Sequence, residues 1–482
     1  MNELDEVASK LTAFPHVVTG NCLLITGDCR EVLASLPRCV TSTVCDPPYG
    51  IDFMGRDWDS GVPGRHFWEV IRQVCLPGAP MLAFGGTRMF HRLMVAIEDA
   101  QWELRDTLMW VYGSGFPKSM DISKAIDEAA GAERKVTGTR KVTDSDLGQQ
   151  SGWNALDTSS GEYQYTEPAT PEAMLWNGWG TALKPSWEPI VLAMNQLDGT
   201  FVKNALKHGV GGINIDACRI SGGEQPTPCK APGWDSINAK NAEAGYRPGD
   251  YQQGGAMYNP APGGRWPANL VHDGSEEVMA GFPTTTSGCG NVKRESSADA
   301  QGNTGSAYGA ESRPEGMPMI SYGDTGSAAR FFYCAKASKS EREAGLDNLP
   351  DNVLAYSNGA QAAVAEGSDE YTGGSKSIGL NNLKVRKNDH PTVKPLELMR
   401  WLLTLVTMPK RNMILDPFMG SGSTGVACVQ LGLPFIGIDL DPHFVEIAKA
   451  RIDHAMRQRG IIPDNPSGAP LISRKTGQGM FF

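Results

Sequence analysis

The sequence predicts an α/β protein built on a parallel sheet that is interrupted by a long, loop-rich insertion. Short apolar segments with strand character alternate with helical segments near both ends of the chain, as in consecutive βαβ units. Two of the predicted strands end in an acid followed by proline, at Asp46 and at Asp416. Because open α/β sheets bind ligands beyond the carboxyl ends of their strands, we expect both acids at one ligand-binding edge.

The composition limits the class of protein. A chain of 482 residues exceeds one compact core, so one large domain with insertions or two domains are expected. The 10 cysteines form no C-x-x-C pair, which indicates reduced thiols in a cytoplasmic protein and neither disulfides nor a zinc site. No export signal or membrane span is predicted, because no apolar run approaches ~18 residues. The net charge of −10 argues only weakly against nucleic acid, since a local basic face is sufficient.

Three regions follow one another along the chain. Residues 1–129 are predicted to hold strands at 22–26, 41–45, 80–84 and 106–112, with helices after residue 28, at 67–74 and at 88–100. Residues 389–458 are predicted to hold helices at 396–407, 423–431 and 443–457, with strands at 412–415 and 435–438. A polar tail, residues 459–482, is expected to be loosely ordered.

The region between them, residues 130–388, is rich in Gly, Ser, Asn and Pro and is interpreted as an insertion. The runs 252–255 and 302–309 are examples of this composition. Loops of this length are usually functional or disordered, so we expect the insertion to be partly mobile. Two segments in it have strand character. Trp187–Ala193 is predicted to return to the core sheet, and Arg330–Ala335 is predicted as a further strand.

The first motif is Asp46-Pro47-Pro48-Tyr49, directly after an apolar strand. Proline fixes its own φ and restricts the residue before it, so the turn is stiff. It presents a carboxylate, an aimed backbone carbonyl and an aromatic ring side by side, which suits a planar group bearing an NH2. The alternative is a proline-rich turn in which Asp46 is a cap and Tyr49 fills the core.

The second motif places glycines at 420, 422 and 425, in the spacing G-x-G-x-x-G, after a strand that ends at Asp416. This is the dinucleotide-binding pattern, and Asp439 ends the next strand where a ribose-binding carboxylate belongs. An NAD-dependent Rossmann oxidoreductase is therefore an alternative. Against it, Asp416 would oppose a pyrophosphate but favour a cationic ligand, and Phe418 has no role in the dinucleotide pattern. A turn that only permits close helix–strand packing is a third interpretation.

Together, Asp46-Pro47-Pro48-Tyr49 and Asp416-Pro417-Phe418-x-Gly420-x-Gly422 resemble the motifs of the DNA amino-methyltransferases, in the order of the β class. His390-Pro391-Thr392-Val393-Lys394-Pro395 is similar to the family segment that closes over the cofactor, and Gly27-Asp28 to the motif that faces its adenine. The resemblance covers about 20–125 and 388–455. It implies a circularly permuted Rossmann-like (class I methyltransferase) doubly wound sheet, with residues 1–129 as the catalytic half and 389–458 as the cofactor half.

The resemblance also implies roles. The cofactor is S-adenosylmethionine, and no metal is needed. Asp46 and the Pro47 carbonyl would accept the two N–H groups of an exocyclic amine, and Tyr49 would stack on a base flipped out of the duplex. The implied catalytic set is Asp46, Pro47, Pro48 and Tyr49. The implied cofactor set is Asp28, Lys394, Asp416, Pro417, Phe418, Gly420, Ser421, Gly422 and Asp439, in which Asp416 takes the methionine ammonium, Asp439 the ribose and Lys394 the carboxylate.

In this family an Asp that opens the motif is linked more often to adenine N6 than to cytosine N4, so adenine is favoured and cytosine is the alternative. RNA, a protein amide and a catalytically inactive DNA-binding module rank lower. The expected partner is double-stranded DNA, without a membrane, and a homodimer is one alternative for assembly. A solitary modification enzyme is expected rather than a fused restriction enzyme, with the insertion as target-recognition region. Candidate DNA contacts are Arg134, Lys135, Arg140, Lys141, Lys384, Arg386, Lys387, Trp176 and Trp179, whereas Trp187 is expected to be packed.

Overall fold

The computed structural model describes residues 3–51, 61–113, 115, 119–141, 162–220, 227–228, 264–286, 320–321, 325–335, 339–350, 352–354, 384–390 and 393–462. The chain forms two compact units. The first comprises Met1–Met109, Ser114–Ile213 and Lys336–Phe482, and the second comprises Trp110–Gly113 and Asn214–Ala335. The runs 252–255 and 302–309 of the insertion, which is expected to be partly mobile, and the tail beyond residue 462 lie outside the described residues.

The elements of the described residues are as follows. The strands are β1 (His16–Thr19), β2 (Cys22–Thr26), β3 (Ser42–Cys45), β4 (Pro80–Phe84), β5 (Glu103–Val111), β6 (Lys135–Lys141), β7 (Glu162–Glu167), β8 (Trp187–Met194), β9 (Thr227–Pro228), β10 (Leu270–His272), β11 (Thr284–Thr286), β12 (Ile320–Ser321), β13 (Thr325–Ser327), β14 (Tyr333–Cys334), β15 (Asn352–Leu354), β16 (Lys384–Arg386), β17 (Ile414–Asp416) and β18 (Phe435–Asp439). The helices are α1 (Glu3–Ala8), α2 (Cys29–Ala34), α3 (Arg65–Val74), α4 (Phe90–Asp99), α5 (Ile122–Ala129), α6 (Pro171–Leu175), α7 (Phe201–His208), α8 (Glu276–Ala280), α9 (Leu396–Leu405), α10 (Ser423–Leu431) and α11 (Pro442–Gln458).

In the first unit the strands lie in the order β1-β2-β18-β17-β3-β4-β8-β5. Strands β2, β18, β17, β3 and β4 are mutually parallel, whereas β1 and β8 are antiparallel to their neighbours β2 and β4. The last two strands of the chain therefore enter the middle of the sheet, between two strands from its start. This arrangement confirms the predicted circularly permuted, Rossmann-like fold.

The parallel strands are buried along nearly their whole length, as expected for strands covered by helices on both faces. Helix α3 buries Trp68, Ile71 and Val74, and seven successive residues of α10, 423–429, are buried. A helix that is buried on every side lies inside a packed layer. Because both faces of the sheet are covered, the strand ends are the part of it where polar side chains can meet a ligand.

The two strand predictions in the insertion have different outcomes. The segment 187–193 is confirmed as β8, which returns to the sheet beside β4. The strand predicted over Arg330–Ala335 is wrong in its first half, where Ala328–Phe331 forms a 3-10 helix. The reason is local hydrogen bonding, since the Ser327 hydroxyl accepts from Ala329 N and the Arg330 guanidinium turns back to the carbonyls of Gly326 and Ser327.

The second unit has its own small parallel pair, β10 and β14, and the antiparallel pair β11 and β13. Asp273 connects the two segments of this unit. Its backbone N–H donates to Val111 O and its carboxylate accepts from Gly113 N, both at 3.0 Å. Within the part of the chain that the structure describes, no helix is long and apolar enough to cross a membrane.

Candidate active site

Four neighbouring parallel strands each deliver an aspartate to the same edge of the sheet. Asp46 follows β3, Asp416 ends β17, Asp439 ends β18, and Asp28 follows β2 after one glycine. The two predicted motifs are far apart in sequence but lie on adjacent strands, because β17 pairs with β3. Since the two strands are parallel, both motifs lie at the same edge of the sheet. The charges affect each other: after burial, which is the larger cause, the carboxylates of Asp46 and Asp439 help to raise the pKa of Asp416.

The side chain of Asp46 belongs to a cluster with Tyr49, Glu188 and Lys394. The Lys394 ammonium donates to Asp46 Oδ2 at 2.7 Å and to the Tyr49 hydroxyl at 3.2 Å, and lies 3.5 Å from Glu188 Oε2. The Tyr49 hydroxyl is 3.0 Å from Asp46 Oδ1 and 3.0 Å from Glu188 Oε2. Two carboxylates thus share one ammonium and one phenol.

The electrostatics of this cluster keep Lys394 charged and Tyr49 neutral. Burial by itself would lower the pKa of Lys394, but the carboxylates of Asp46 and Glu188 outweigh it and the pKa is raised. Burial, followed by the same carboxylates, raises the pKa of Tyr49. With both acids ionised, the cluster carries one net negative charge in a largely buried position. It therefore favours an additional cation or N–H donor.

Glu188 was missed in the sequence. It lies near the start of β8, and because β8 runs antiparallel to β4, its first residues reach the edge at which β4 ends. The available signal was a lone acid in an otherwise apolar strand. Lys394, expected at the cofactor carboxylate, lies instead against the catalytic motif, 7% exposed and 4.9 Å from the Phe84 ring centroid.

The turn of the second motif is shaped by its own acids. Asp416 accepts hydrogen bonds from Phe418 N at 3.0 Å and from the Thr424 hydroxyl at 2.6 Å. Asp439 accepts from Gly420 N at 2.7 Å. Burial nevertheless raises the pKa of Asp416 to about 7 and that of Asp439 to about 6. These two acids hold the loop and also retain the capacity to receive positive charge.

Two glycines of the loop cannot carry side chains in this conformation. Gly420 and Gly422 have φ values of +52° and +78°, in the left-handed region that favours glycine. A Cβ on Gly420 would lie 2.6 Å from His390 Nε2, and one on Gly422 would lie 2.7 Å from the Cβ of Ala448. His390 packs edge-on against Phe444, with ring centroids 4.7 Å apart. The segment that begins at His390 therefore contacts the glycine loop and, through Lys394, the catalytic motif; residues 391–392 lie outside the described residues.

A buried arginine, not identified from the sequence, supports the glycine loop from α11. Arg451 donates to Ser421 O at 2.5 Å, to the Ser421 hydroxyl at 3.1 Å and to the Ser423 hydroxyl at 3.3 Å. Burial, followed by the charge of Arg342, lowers the pKa of Arg451 to about 10. The sequence signal was a cation on the apolar side of a helix, and its role is to hold Ser421 in place.

The other predicted site residues lie around these two motifs. Pro47 and Pro417 are buried, and Pro48 is half-buried. The Phe418 ring lies 6.2 Å from the rings of Phe67 and Trp68. Asp28 caps α2, and its carboxylate pairs with Arg30, whose hydrogen bond is the main cause that lowers the pKa of Asp28.

The candidate DNA contacts differ in how far their side chains are exposed to solvent. Arg134 is largely buried in an ion pair with Asp127 at 2.6 Å, and Lys387 donates to Asp347 O. Lys135 is exposed and Arg140 half-exposed. Trp176 and Trp179 are exposed and lie 5.5 Å apart, whereas Trp187 is half-buried against Phe90. The side chains of Lys141, Lys384 and Arg386 lie outside the described residues. Among the residues that are described, no group of three or more His, Cys, Asp or Glu side chains could hold a metal ion.

Residues 314–450 match the family model described as DNA methylase, of N6/N4 type. The matched residues include His390, Lys394 and the glycine loop but not the Asp46 motif. The chain is 44% identical over 64 residues to the type II methyltransferase M2.LlaDCHI of Lactococcus lactis subsp. cremoris, which is 13% of this chain and 23% of that protein. It is 47% identical over 62 residues to the type II methyltransferase M2.MboI of Moraxella bovis, 13% and 22% of the two chains. The chain thus spans about a quarter of the length of these relatives.

Among solved structures, the PvuII DNA methyltransferase (cytosine-N4-specific) gives a TM-score of 0.35 at 11% identity, over 91% of this chain and 93% of that one. The M1.HpyAVI–SAM complex gives 0.34 at 11% identity, over 90% and 99%. The family match confirms the predicted resemblance to the DNA amino-methyltransferases in the region that carries the glycine loop.

Proposed function

We propose that this chain transfers a methyl group from S-adenosylmethionine to the exocyclic amine of a base flipped out of double-stranded DNA, with adenine N6 as the favoured acceptor. The observation that carries the proposal is the adjacency of the Asp46 motif, on β3, and the family-matched glycine loop, on the neighbouring strand β17. One element offers acceptors for an amine, and the other offers a cradle for a cofactor.

The residues at the strand ends fit this cofactor. When bound, S-adenosylmethionine supplies a methyl group activated by a positively charged sulfur. Positive φ and close contact with His390 and Ala448 exclude a side chain at Gly420 and Gly422, so the tight bend of the loop at the strand ends depends on glycine. Asp416 and Asp439 favour a ligand that is cationic and amine-bearing, and they disfavour the pyrophosphate of a dinucleotide.

The catalytic motif would act by holding and polarising the acceptor amine. An amine conjugated with a purine ring is a poor nucleophile, because its lone pair is delocalised. If Asp46 and the Pro47 carbonyl each accept one N–H, the nitrogen can pyramidalise and present its lone pair. The net negative cluster around Asp46 would stabilise positive charge that develops on the nitrogen, so orientation and electrostatics supply most of the rate.

The identity of the modified base tests the proposal directly. Unmethylated plasmid DNA is incubated with the protein and S-adenosylmethionine, digested, and its nucleosides are identified by mass spectrometry. We expect the product to be N6-methyl-2′-deoxyadenosine. N4-methylcytosine as the sole product would contradict the adenine assignment and leave the wider proposal intact. No product, together with tight NAD binding in calorimetry, would favour the oxidoreductase alternative.

The position of the Tyr49 ring depends on Gly86, which follows β4. A Cβ on Gly86 would lie 3.0 Å from Tyr49 Cδ2. We expect Gly86→Ala to displace the ring and lower kcat by about tenfold or more, because small misplacements of a positioning group cost up to about 10²-fold. Cofactor affinity, measured by calorimetry, should be unchanged. Gly212→Ala is the matched control, since no atom lies within 4 Å of its added Cβ. Equal rates for both variants would contradict the assigned role of the ring.

Trp179 is proposed as a DNA contact because the residue is 61% exposed and its ring packs edge-on against that of Trp176, which is also exposed. Base–aromatic stacking contributes about 1–3 kcal/mol, so Trp179→Ala should weaken DNA binding by roughly 10- to 100-fold. Fluorescence anisotropy with labelled duplex DNA gives the affinity. Leu183→Ala is the control on the same exposed segment, at a side chain that is 92% exposed but has no ring to stack. If both variants bind DNA equally well, this segment does not contact the duplex.

A further inference from the structure

The cluster around Asp46 poses a problem for the proposed reaction. In the free protein, Asp46 Oδ1 faces the Tyr49 hydroxyl and Oδ2 accepts from the Lys394 ammonium at 2.7 Å. Each carboxylate oxygen therefore already has one hydrogen-bond partner, and the partner of Oδ2 is a cation. An acceptor amine that came to Asp46 would also meet the Lys394 cation, and that cation would oppose the positive charge that methyl transfer creates on the amine nitrogen.

The structure contains a second partner for the ammonium. Glu188 Oε2 lies 3.5 Å from Lys394 Nζ, within reach of a small rotation of the lysine side chain. The Tyr49 hydroxyl is equally far from both carboxylates, at 3.0 Å, and its single proton can be donated to only one of them at a time.

We propose that Lys394 holds the place of the target amine in the free protein and moves to Glu188 when the base enters. In the exchanged arrangement, Glu188 receives the ammonium and Tyr49 donates its proton to Asp46 Oδ1. Asp46 Oδ2 is then available to accept the N–H of the amine. Every donor and acceptor in the cluster keeps a partner in both arrangements, so the exchange leaves no buried charge unpaired.

This assigns Glu188 as a positioning residue that acts through Lys394, and it rests on the proposed function. Before the base arrives, the ammonium keeps the Asp46 carboxylate paired in a largely buried position. Glu188 allows Asp46 to be released from the ammonium. Without a second anion nearby, an ammonium that left Asp46 would be a buried charge with no partner, which is unfavourable. Removing the charge of Glu188 should therefore trap Lys394 on Asp46, and removing Lys394 as well should relieve the trap.

The test compares Glu188→Gln with the double variant Glu188→Gln/Lys394→Met in transfer of tritiated methyl groups to unmethylated plasmid DNA, at saturating S-adenosylmethionine. We expect Glu188→Gln to lower kcat by about 10- to 100-fold, the range set by a charge-assisted hydrogen bond. Its affinity for S-adenosylmethionine, from calorimetry, should match that of the wild type. The double variant should be faster than Glu188→Gln, a rescue that a merely structural role of Glu188 does not produce. Glu98→Gln, at an exposed acid of α4, is the control for loss of one negative charge.

A double variant as slow as Glu188→Gln, or slower, overturns the exchange. If Glu188→Gln does not fold, Glu188→Asp and its combination with Lys394→Met are compared in the same way, because the shorter acid keeps its charge but cannot reach the ammonium as closely. A wild-type protein that transfers no methyl group to DNA overturns the proposed function itself. An active wild type without rescue removes only the role of Glu188.

Discussion

Asp46→Asn should lower kcat for methyl transfer by about 10²–10³-fold, the cost typical of removing one group that stabilises transition-state charge. The substitution keeps the size of the side chain but removes the negative charge on which the acceptor amine depends. Lys394 retains Glu188 as an anionic partner, so the cluster should stay folded. Cofactor affinity should be within about twofold of the wild type, because the glycine loop is held by Asp416 and Asp439 and not by Asp46.

The measurement is single-turnover transfer of a tritiated methyl group to unmethylated DNA, with cofactor affinity from calorimetry in parallel. Asp106→Asn, at an exposed acid of β5, controls for the change in net charge. A variant that retains the wild-type rate would show that Asp46 does not hold the acceptor. A variant that has also lost cofactor binding would show that Asp46 contributes to the cofactor site, contrary to the proposed separation of acceptor binding and cofactor binding between the two motifs.

Asp416→Asn should weaken binding of S-adenosylmethionine by about 10- to 100-fold above pH 8, the range for loss of one hydrogen bond to a charged group. The same variant should abolish a pH dependence. Burial raises the pKa of Asp416 to about 7, so in the free wild-type protein this carboxyl is partly protonated near neutral pH. A cationic ligand favours the ionised form, and binding should therefore release a proton. Affinity should rise as pH increases towards about 7 and level off above it.

Isothermal titration at several pH values, each in two buffers of different ionisation enthalpy, measures both the affinity and the protons released. Glu446→Gln is the control, since Glu446 is an exposed acid of α11. Affinity that is independent of pH in the wild type would contradict the role of Asp416 as a counter-charge. Dependence that persists in Asp416→Asn would assign it to another group, with Asp439, at a pKa of about 6, the first candidate.

Asp416 also has a consequence for stability. Its pKa in the folded protein lies above its ordinary value of 3.8, so the folded state binds the proton more tightly than the unfolded state does. The favourable contribution of the protonated form is present at low pH and is lost as pH rises from about 4 towards about 7. A bound cation should offset this loss, so the cofactor should stabilise the protein most at the upper end of the range.

Local patterns were sufficient for much of the fold and for both motifs. The apolar segments at 22–26, 80–84 and 435–438 correspond closely to β2, β4 and β18, because a buried parallel strand is a short, continuous apolar run bounded by glycine or an acid. The same apolar runs predicted that Asp46 and Asp416 lie at the ends of strands. Proline in the turn and glycine with positive φ are local requirements that a sequence displays directly.

The contacts made by Lys394, Glu188 and Arg451 could not be read from local patterns. Lys394 lies 348 residues from Asp46 along the chain, and its ammonium reaches Asp46 because β17 pairs with β3 and the segment before α9 crosses the strand ends. Glu188 reaches the cluster only because β8 is antiparallel to β4. The direction of a strand relative to its neighbour cannot be predicted from the residues of that strand alone. Strand order and direction arise from the packing of the whole sheet and its helices, so the tertiary structure determines which charged side chains are in contact. The local sequence determines only which charged residues lie at the strand ends.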